Sequence, residues 1–101
     1  MSTRMHPDDR YARILAAAVK LAEKNHYCQI TREQIATEAR CAPSLVSSYF
    51  CNMDNLRKRL MHAAVKAGNT TIVMQGLTCS DPIARKAPLV LRKKAAALLN
   101  V

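Results

Sequence analysis

Residues 31–50 contain the start signals of two short helices that lie very close together along the chain. Residues 31–34, Thr-Arg-Glu-Gln, form a capping box, in which the threonine caps the helix and the glutamine reaches back to it. That helix should end near residue 39 or 40, and Pro43 suits the first position of a second helix. Val46 and Phe50, four residues apart, should face a core. Two short helices joined by three or four residues are the layout of a helix-turn-helix.

The segments on both sides of this pair have the apolar period of longer helices. The preceding helix should begin near Pro7 and end at Asn25, a residue that accepts a left-handed conformation. Its apolar stripe comprises Tyr11, Ile14, Leu15, Ala18, Leu21 and Ala22. The following helix should begin after an Asn52 cap and stop at Gly68. Its apolar stripe comprises Met53, Leu56, Leu60, Ala63, Ala64 and Ala67.

Composition favours helices over sheets, because Ala and Leu dominate the apolar residues and aromatic residues make up only 4% of the chain. We therefore expect an all-α fold, with a helix-turn-helix three-helix core, a long fourth helix and short C-terminal helices. We predict a flexible arm at residues 1–7 and a helix-turn-helix domain at residues 8–68. Residues 69–101 should form a short helical extension, with its last helix opened by Pro88, that acts as a lid or a dimerisation element.

The chain is strongly basic, since sixteen Lys and Arg residues against seven Asp and Glu give a net charge of +9. A small domain with this charge usually meets a polyanion, although the charge can also be a solvated surface. Four basic residues should ring the second short helix and favour double-stranded DNA as the partner: Arg32, Arg40, Arg57 and Lys58. A protein-binding adaptor would need an exposed apolar patch instead, and a membrane-surface role is the third alternative.

The residue types that enzymes and cofactor sites need are sparse. The three His residues have no hydrolytic spacing to a Cys or Ser, and the two Gly residues form no phosphate loop, so we expect no catalytic site. The four Cys residues show no C-x-x-C pair, and their spacing does not favour zinc bound by Cys41, Cys51 and a His. We therefore expect no metal and no cofactor. Neither a signal peptide nor a membrane span is apparent, which favours a cytoplasmic protein with reduced thiols.

Residues 11–68 resemble the N-terminal DNA-binding domain of the TetR-type repressors. The matching stretches are Ile14-Leu15-Ala16-Ala17-Ala18 with Leu21-Ala22-Glu23-Lys24, then Ile30-Thr31-Arg32, Ile35-Ala36-Thr37-Glu38-Ala39 and Ser44-Leu45-Val46-Ser47-Ser48-Tyr49-Phe50, followed by Asn52, Asp54 and Leu56. The chain departs from the family at Arg40, where the turn usually has Gly, and at Ala42, which cannot cap the next helix. It also has Met53 where a phosphate-gripping Lys is usual, and Arg57 or Lys58 could replace that Lys.

The resemblance implies roles for particular residues. The second short helix would be the recognition helix, with bases and adjacent phosphates met by Pro43, Ser44, Leu45, Ser47, Ser48 and Tyr49. Thr31 and Arg32 would hold the phosphate backbone, which agrees with the affinity of helix N-termini for phosphate. Ser and Tyr hydroxyls can reach phosphates or base edges, but they discriminate bases less sharply than a bidentate Arg or Asn.

The function that follows is a small sequence-specific DNA-binding protein, and a transcriptional regulator is the first interpretation. A replication, packaging or architectural factor is the alternative within DNA binding, and the small size would suit a phage or plasmid. Only 33 residues follow Gly68, which is too few to enclose a drug-sized pocket, so we expect no small-molecule inducer. We expect a homodimer, because one helix-turn-helix alone reads few base pairs.

Overall fold

Helices α1 to α7 make up most of the computed structural model, which describes residues 7–100. Their bounds are α1 Pro7–Lys24, α2 Arg32–Ala39, α3 Pro43–Phe50, α4 Met53–Ala67, α5 Thr70–Thr78, α6 Pro82–Arg85 and α7 Leu89–Ala97, and a 3-10 turn follows at Leu98–Asn100. No strand occurs within these residues, so the all-α prediction is confirmed. Except for Pro7, the arm predicted at residues 1–7 lies outside the described residues.

Local capping interactions set the helix limits where the sequence predicted them. The capping box is complete, because the Thr31 hydroxyl accepts from the Gln34 amide and the Gln34 side chain accepts from the Thr31 amide. The Asn52 side chain caps α4 by accepting from the Asn55 amide, and Gly68 ends α4 in a left-handed conformation with φ 71°. Two predicted helix starts and one predicted stop are therefore confirmed.

The turn between α2 and α3 keeps a left-handed residue although that residue is not Gly. Arg40 ends α2 with φ 59° and ψ 49°, a conformation that costs a non-Gly residue roughly 1–2 kcal/mol. Its amide bonds to the carbonyls of Ala36 and Thr37, and the Cys41 amide bonds to Ala36 at 2.9 Å. These bonds satisfy carbonyls at the end of α2 that would otherwise lack partners, which offsets the strain.

The prediction that Asn25 ends α1 in a left-handed conformation is wrong, because Asn25 is not among the described residues with positive φ. Its backbone and side-chain amides both bond back to the Leu21 carbonyl, at 2.9 Å and 3.3 Å. The end of α1 is instead held by Gln75, a side chain of α5 that is only 6% exposed. Gln75 donates to the carbonyls of Ala22 at 2.7 Å and Asn25 at 3.2 Å, and it accepts from the Tyr27 amide at 3.0 Å.

One hydrophobic core runs from α1 to α7. Ile14, Ile35, Phe50 and Leu56 are fully buried in its N-terminal part, and Ile72, Val73, Ala84 and Ala95 extend it into the C-terminal helices. Residues 69–99 therefore contribute to the same core as the helix-turn-helix. The stripe predicted for α4 is shifted, because Met61 is fully buried and Ala67 is exposed. The short helix α6 was not anticipated from the sequence.

A methyl group at Gly76 would have no space. A Cβ there would lie 2.6 Å from both the Ala84 Cβ and the Met61 Cε. The end of the Met61 side chain can move away, but the Ala84 Cβ cannot move without shifting α6. A Gly76→Ala variant should therefore lose about 1–3 kcal/mol of unfolding free energy, although Ala alone favours a helix interior by roughly 0.5–1 kcal/mol.

Urea denaturation of this variant beside wild type tests the close contact between α5 and α6. Gly68→Ala is the matched control, because a Cβ at that position meets nothing within 4 Å and only the φ of +71° opposes it. That control should cost on the order of 1 kcal/mol. A Gly76→Ala variant as stable as wild type would mean that the two helices are not packed this closely.

Candidate nucleic-acid interface

Helix α3 has one buried and one exposed side. Val46 and Phe50 are 2% and 1% exposed and anchor the helix in the core. Pro43, Ser44 and Ser48 are exposed on the outer side. Because residues four apart lie one above the other on a helix, Ser44 and Ser48 present their hydroxyls along a single line. The outer face of α3 is therefore small, polar and uncharged.

Tyr49 is less exposed than the sequence suggested, because its side chain is half-buried, and Leu45 is half-buried as well. The Tyr49 ring packs edge-on against Tyr11 with 6.5 Å between centroids, and Tyr11 stacks on Phe50 at 4.7 Å. Tyr49 thus belongs partly to the contact between α1 and α3. The hydroxyl-bearing side chains of α3 that are exposed to solvent are those of Ser44 and Ser48.

Arg32 links the start of α2 to the outer part of α3. Its guanidinium donates to the Ser47 hydroxyl at 3.0 Å and to the Glu33 carboxylate at 3.2 Å, and the side chain remains 46% exposed. Ser47 is half-buried and accepts this bond. Ser47 therefore positions the charge of Arg32 beside α3.

A cleft of about 460 Å³ lies next to this pair. The start of α2, the end of α3 and the start of α4 form its walls. The residues that line it are Ile30, Thr31, Arg32, Glu33, Ser47, Cys51, Asn52, Met53 and Arg57. The N-terminal turns of α2 and α4 both border it, and each brings amide groups that its cap leaves free. Two helix N-termini and an arginine are a favourable environment for a phosphate group.

Arg57 and Lys58 have different surroundings, because Arg57 lines both the cleft next to Ser47 and a second cleft beside Asp81, whereas Lys58 lines only the second. The Arg57 guanidinium donates to the carbonyls of Tyr27 at 3.3 Å and Ile30 at 3.4 Å, and it lies 3.6 Å from the Asp54 carboxylate. It therefore holds the loop between α1 and α2 in place. Lys58 is exposed and lines a different cleft, beside Asp81 and Pro82, rather than the cleft next to Ser47.

A second basic group lies at the other end of α3. A small cleft of about 140 Å³ beside Leu45 is lined by Arg10, Arg13 and Arg40. Among the side chains that the structure describes, none forms an ion pair with these three arginines. Arg10 and Arg13 were not predicted from the sequence as site residues. Their spacing of three on the polar side of α1 was the available signal, but only the packing of α1 places them beside α3.

Three acidic residues of α2 and α4 have basic partners. Glu33 pairs with Arg32 at 3.2 Å, Asp54 with Arg57 at 3.6 Å, and Glu38 with Lys20 at 3.1 Å. These pairs are exposed or partly exposed, so they contribute little to stability. The Glu33 carboxylate also offsets part of the positive charge of Arg32.

A different cluster of polar side chains lies beyond the loop between α1 and α2. The Tyr27 hydroxyl donates to Asp81 at 2.7 Å, and burial together with this carboxylate raises the pKa of Tyr27. Burial also raises the pKa of the neighbouring Cys28 thiol. His26, Cys28 and Cys79 come together here, although 51 residues separate the two cysteines. Among the described residues, Cys41 and Cys51 belong to no such group.

None of the helices within residues 7–100 has the length and apolarity that crossing a membrane requires. Comparison with known proteins found no matching family model, no similar curated protein and no similar solved structure. The resemblance to the TetR-type DNA-binding domain therefore rests on the residues of this chain alone and stays a prediction.

Proposed function

We propose that this chain is a small double-stranded DNA-binding protein of the cytoplasm, a sequence-specific transcriptional regulator that places α3 in the major groove. The observation that carries the proposal is the placement of α3 between Arg32 on one side and Arg10, Arg13 and Arg40 on the other. The resemblance of residues 11–68 to the TetR-type domain supports the same orientation. An eight-residue helix is roughly 12 Å long at 1.5 Å per residue, and the major groove is about 12 Å wide.

These arginines would meet the two phosphate strands that border the groove. Arg32, with its own amide and the Glu33 amide at the start of α2, would bind phosphate on one side. Arg10, Arg13 and Arg40 would bind phosphate on the other side. Arg57 would act indirectly, by holding the loop before α2, and Lys58 would contribute only to the general field.

A salt titration of binding tests this function. The duplex upstream of the chain's own gene is compared with a scrambled duplex of equal length. A regulator should prefer the native duplex by about a thousandfold or more, with affinity that falls steeply as salt rises. Equal binding to both would indicate an architectural or replication factor, and no binding at low salt would refute the proposal.

Base reading should depend on the two exposed serines of α3. A double variant, Ser44→Ala and Ser48→Ala, removes the hydroxyls of two exposed residues. We expect affinity for the native duplex to fall by about 1 kcal/mol per lost base contact, roughly fivefold each. Affinity for the scrambled duplex should stay unchanged, because non-specific binding to DNA depends on the phosphate contacts. An equal loss on both duplexes would show that these hydroxyls contact phosphate and not bases.

We also propose a homodimer that pairs through α7. Leu89 and Val90 are 56% and 66% exposed, and Leu98 and Leu99 extend the apolar surface beyond the helix. A twofold dimer would bury this surface and present two α3 helices to successive half-sites. A Leu89→Gln and Val90→Gln variant should sediment as a monomer, whereas the control Lys93→Gln and Lys94→Gln on the same helix should sediment like wild type. A wild-type chain that is monomeric at the concentrations used for DNA binding would overturn this arrangement.

A further inference from the structure

Three metal-ligand side chains converge beyond the loop between α1 and α2. The ligand atoms of His26, Cys28 and Cys79 all lie within 4.8 Å of one another. The two Sγ atoms are 3.8 Å apart, and the Cys79 Sγ is 3.6 Å from the His26 Nε2. This cluster has no part in the proposed DNA contact, since it lies on the far side of Arg57 from α3.

The separation of the two Sγ atoms and that of the Cys79 Sγ from the His26 Nε2 match two edges of a tetrahedral zinc site. Zn–S bonds of about 2.3 Å and Zn–N bonds of about 2.0 Å at tetrahedral angles put two sulfurs about 3.8 Å apart and a sulfur and a nitrogen about 3.5 Å apart. We propose that His26, Cys28 and Cys79 bind Zn²⁺ or a similar borderline-soft divalent cation, with a fourth position open to water. Two thiolates and an imidazole select such ions over Mg²⁺ and Ca²⁺.

The protein holds the three ligands in place before any metal arrives. The loop that carries His26 and Cys28 is fixed by the Arg57 and Gln75 bonds to Tyr27, and Cys79 caps the end of α5. The Tyr27 hydroxyl bonds to Asp81, which ties the loop to the chain after Cys79. The His26 ring stacks on Tyr27, with centroids 5.2 Å apart. Little ordering is left for the metal to impose, which favours binding.

Metal binding requires a defined proton rearrangement. The His26 Nδ1 accepts from the Cys28 amide at 3.1 Å, which puts the ring proton on Nε2, facing Cys79 and Thr78. To bind a cation through Nε2, the ring must carry its proton on Nδ1, so the Cys28 amide gives up this bond. The two thiols release their protons to solvent as the metal–sulfur bonds form. One exposed neutral hydrogen bond is thus exchanged for three metal–ligand bonds.

The test is a Co²⁺ titration of the fully reduced chain, followed by displacement with Zn²⁺. We expect thiolate-to-cobalt charge-transfer absorption and the intense visible bands of tetrahedral Co²⁺, both lost on adding Zn²⁺. Cys28→Ser and Cys79→Ser should each weaken binding by roughly a hundredfold or more, beyond the 10–100-fold typical of changes to residues that only hydrogen-bond to a metal ligand. Cys41→Ser and Cys51→Ser are the controls and should bind like wild type.

A readout on the unaltered protein guards against variants that fail to fold. X-ray absorption of the zinc-loaded wild-type chain should show two sulfur neighbours at about 2.3 Å and nitrogen or oxygen neighbours at about 2.0 Å. A shell of oxygen and nitrogen only, or equal Co²⁺ affinity in Cys28→Ser and Cys51→Ser, would overturn the proposal. It would also be overturned if the reduced chain binds neither ion and instead forms a Cys28–Cys79 disulfide in air.

Discussion

Replacing Arg10, Arg13 and Arg32 together by Ala should lower the affinity of this chain for any DNA duplex by roughly 10²–10³-fold at 0.1 M salt. Each phosphate contact releases close to one counterion. This release makes the affinity at 0.1 M salt about tenfold higher than the affinity at 1 M salt. The three arginines lie at both ends of α3, beside Leu45 and Ser47, so the variant removes contacts to both strands. The slope of log affinity against log salt should fall by about 2.7.

Arg40 stays in this variant, because its left-handed conformation gives it a backbone role that substitution would disturb. The matched control is Lys86→Ala, Lys93→Ala and Lys94→Ala, three exposed cations of the C-terminal part of the chain. It lowers the net charge by the same amount but leaves the surroundings of α3 intact. If the control weakens binding as much as the arginine variant does, DNA responds to total charge and the assigned interface is wrong.

The second large effect is expected for Gln75→Leu, which should lose about 3 kcal/mol of unfolding free energy. Leu fills the space but leaves the Tyr27 amide and the carbonyls of Ala22 and Asn25 without their partner, and each buried unsatisfied group costs about 1–3 kcal/mol. We expect a loss of free energy smaller than the sum of these three costs, because the hydrogen bond to the Asn25 carbonyl is only partly buried. Urea denaturation with a constant m-value measures the loss.

Gln29→Leu is the control for this change, because Gln29 is exposed and the same substitution there should shift stability by no more than about 0.5 kcal/mol. Gln75→Glu supplies a geometric test. One carboxylate oxygen can still accept from Tyr27, but the other then faces two carbonyl oxygens. That variant should regain stability as the pH falls and its carboxyl becomes a donor. Equal stability of Gln75→Leu and Gln29→Leu would show that α5 does not hold the end of α1.

The features that the sequence alone determined are those decided within four or five residues of chain. The Thr31 capping box, the Asn52 cap, Pro43 at the start of α3 and the Gly68 stop each depend on a side chain and a backbone group in the same turn. The buried positions Val46 and Phe50 follow from helical period in the same way. Local chemistry was therefore sufficient for the helix limits around α3 and for the all-α class.

Only the tertiary structure decided the contacts between residues that lie far apart in the chain. Asn25 was expected to end α1 by itself, but Gln75, 50 residues later, supplies the bonds there. Arg10 and Arg13 lie beside Leu45 of α3 because α1 packs on α2 and α4, and Arg57 is held by the carbonyls of Tyr27 and Ile30. The pairing of Cys28 with Cys79 depends on where α5 ends against the loop after α1. Spacing along the sequence contains no signal for these contacts, because they are set by how the helices pack around a shared core.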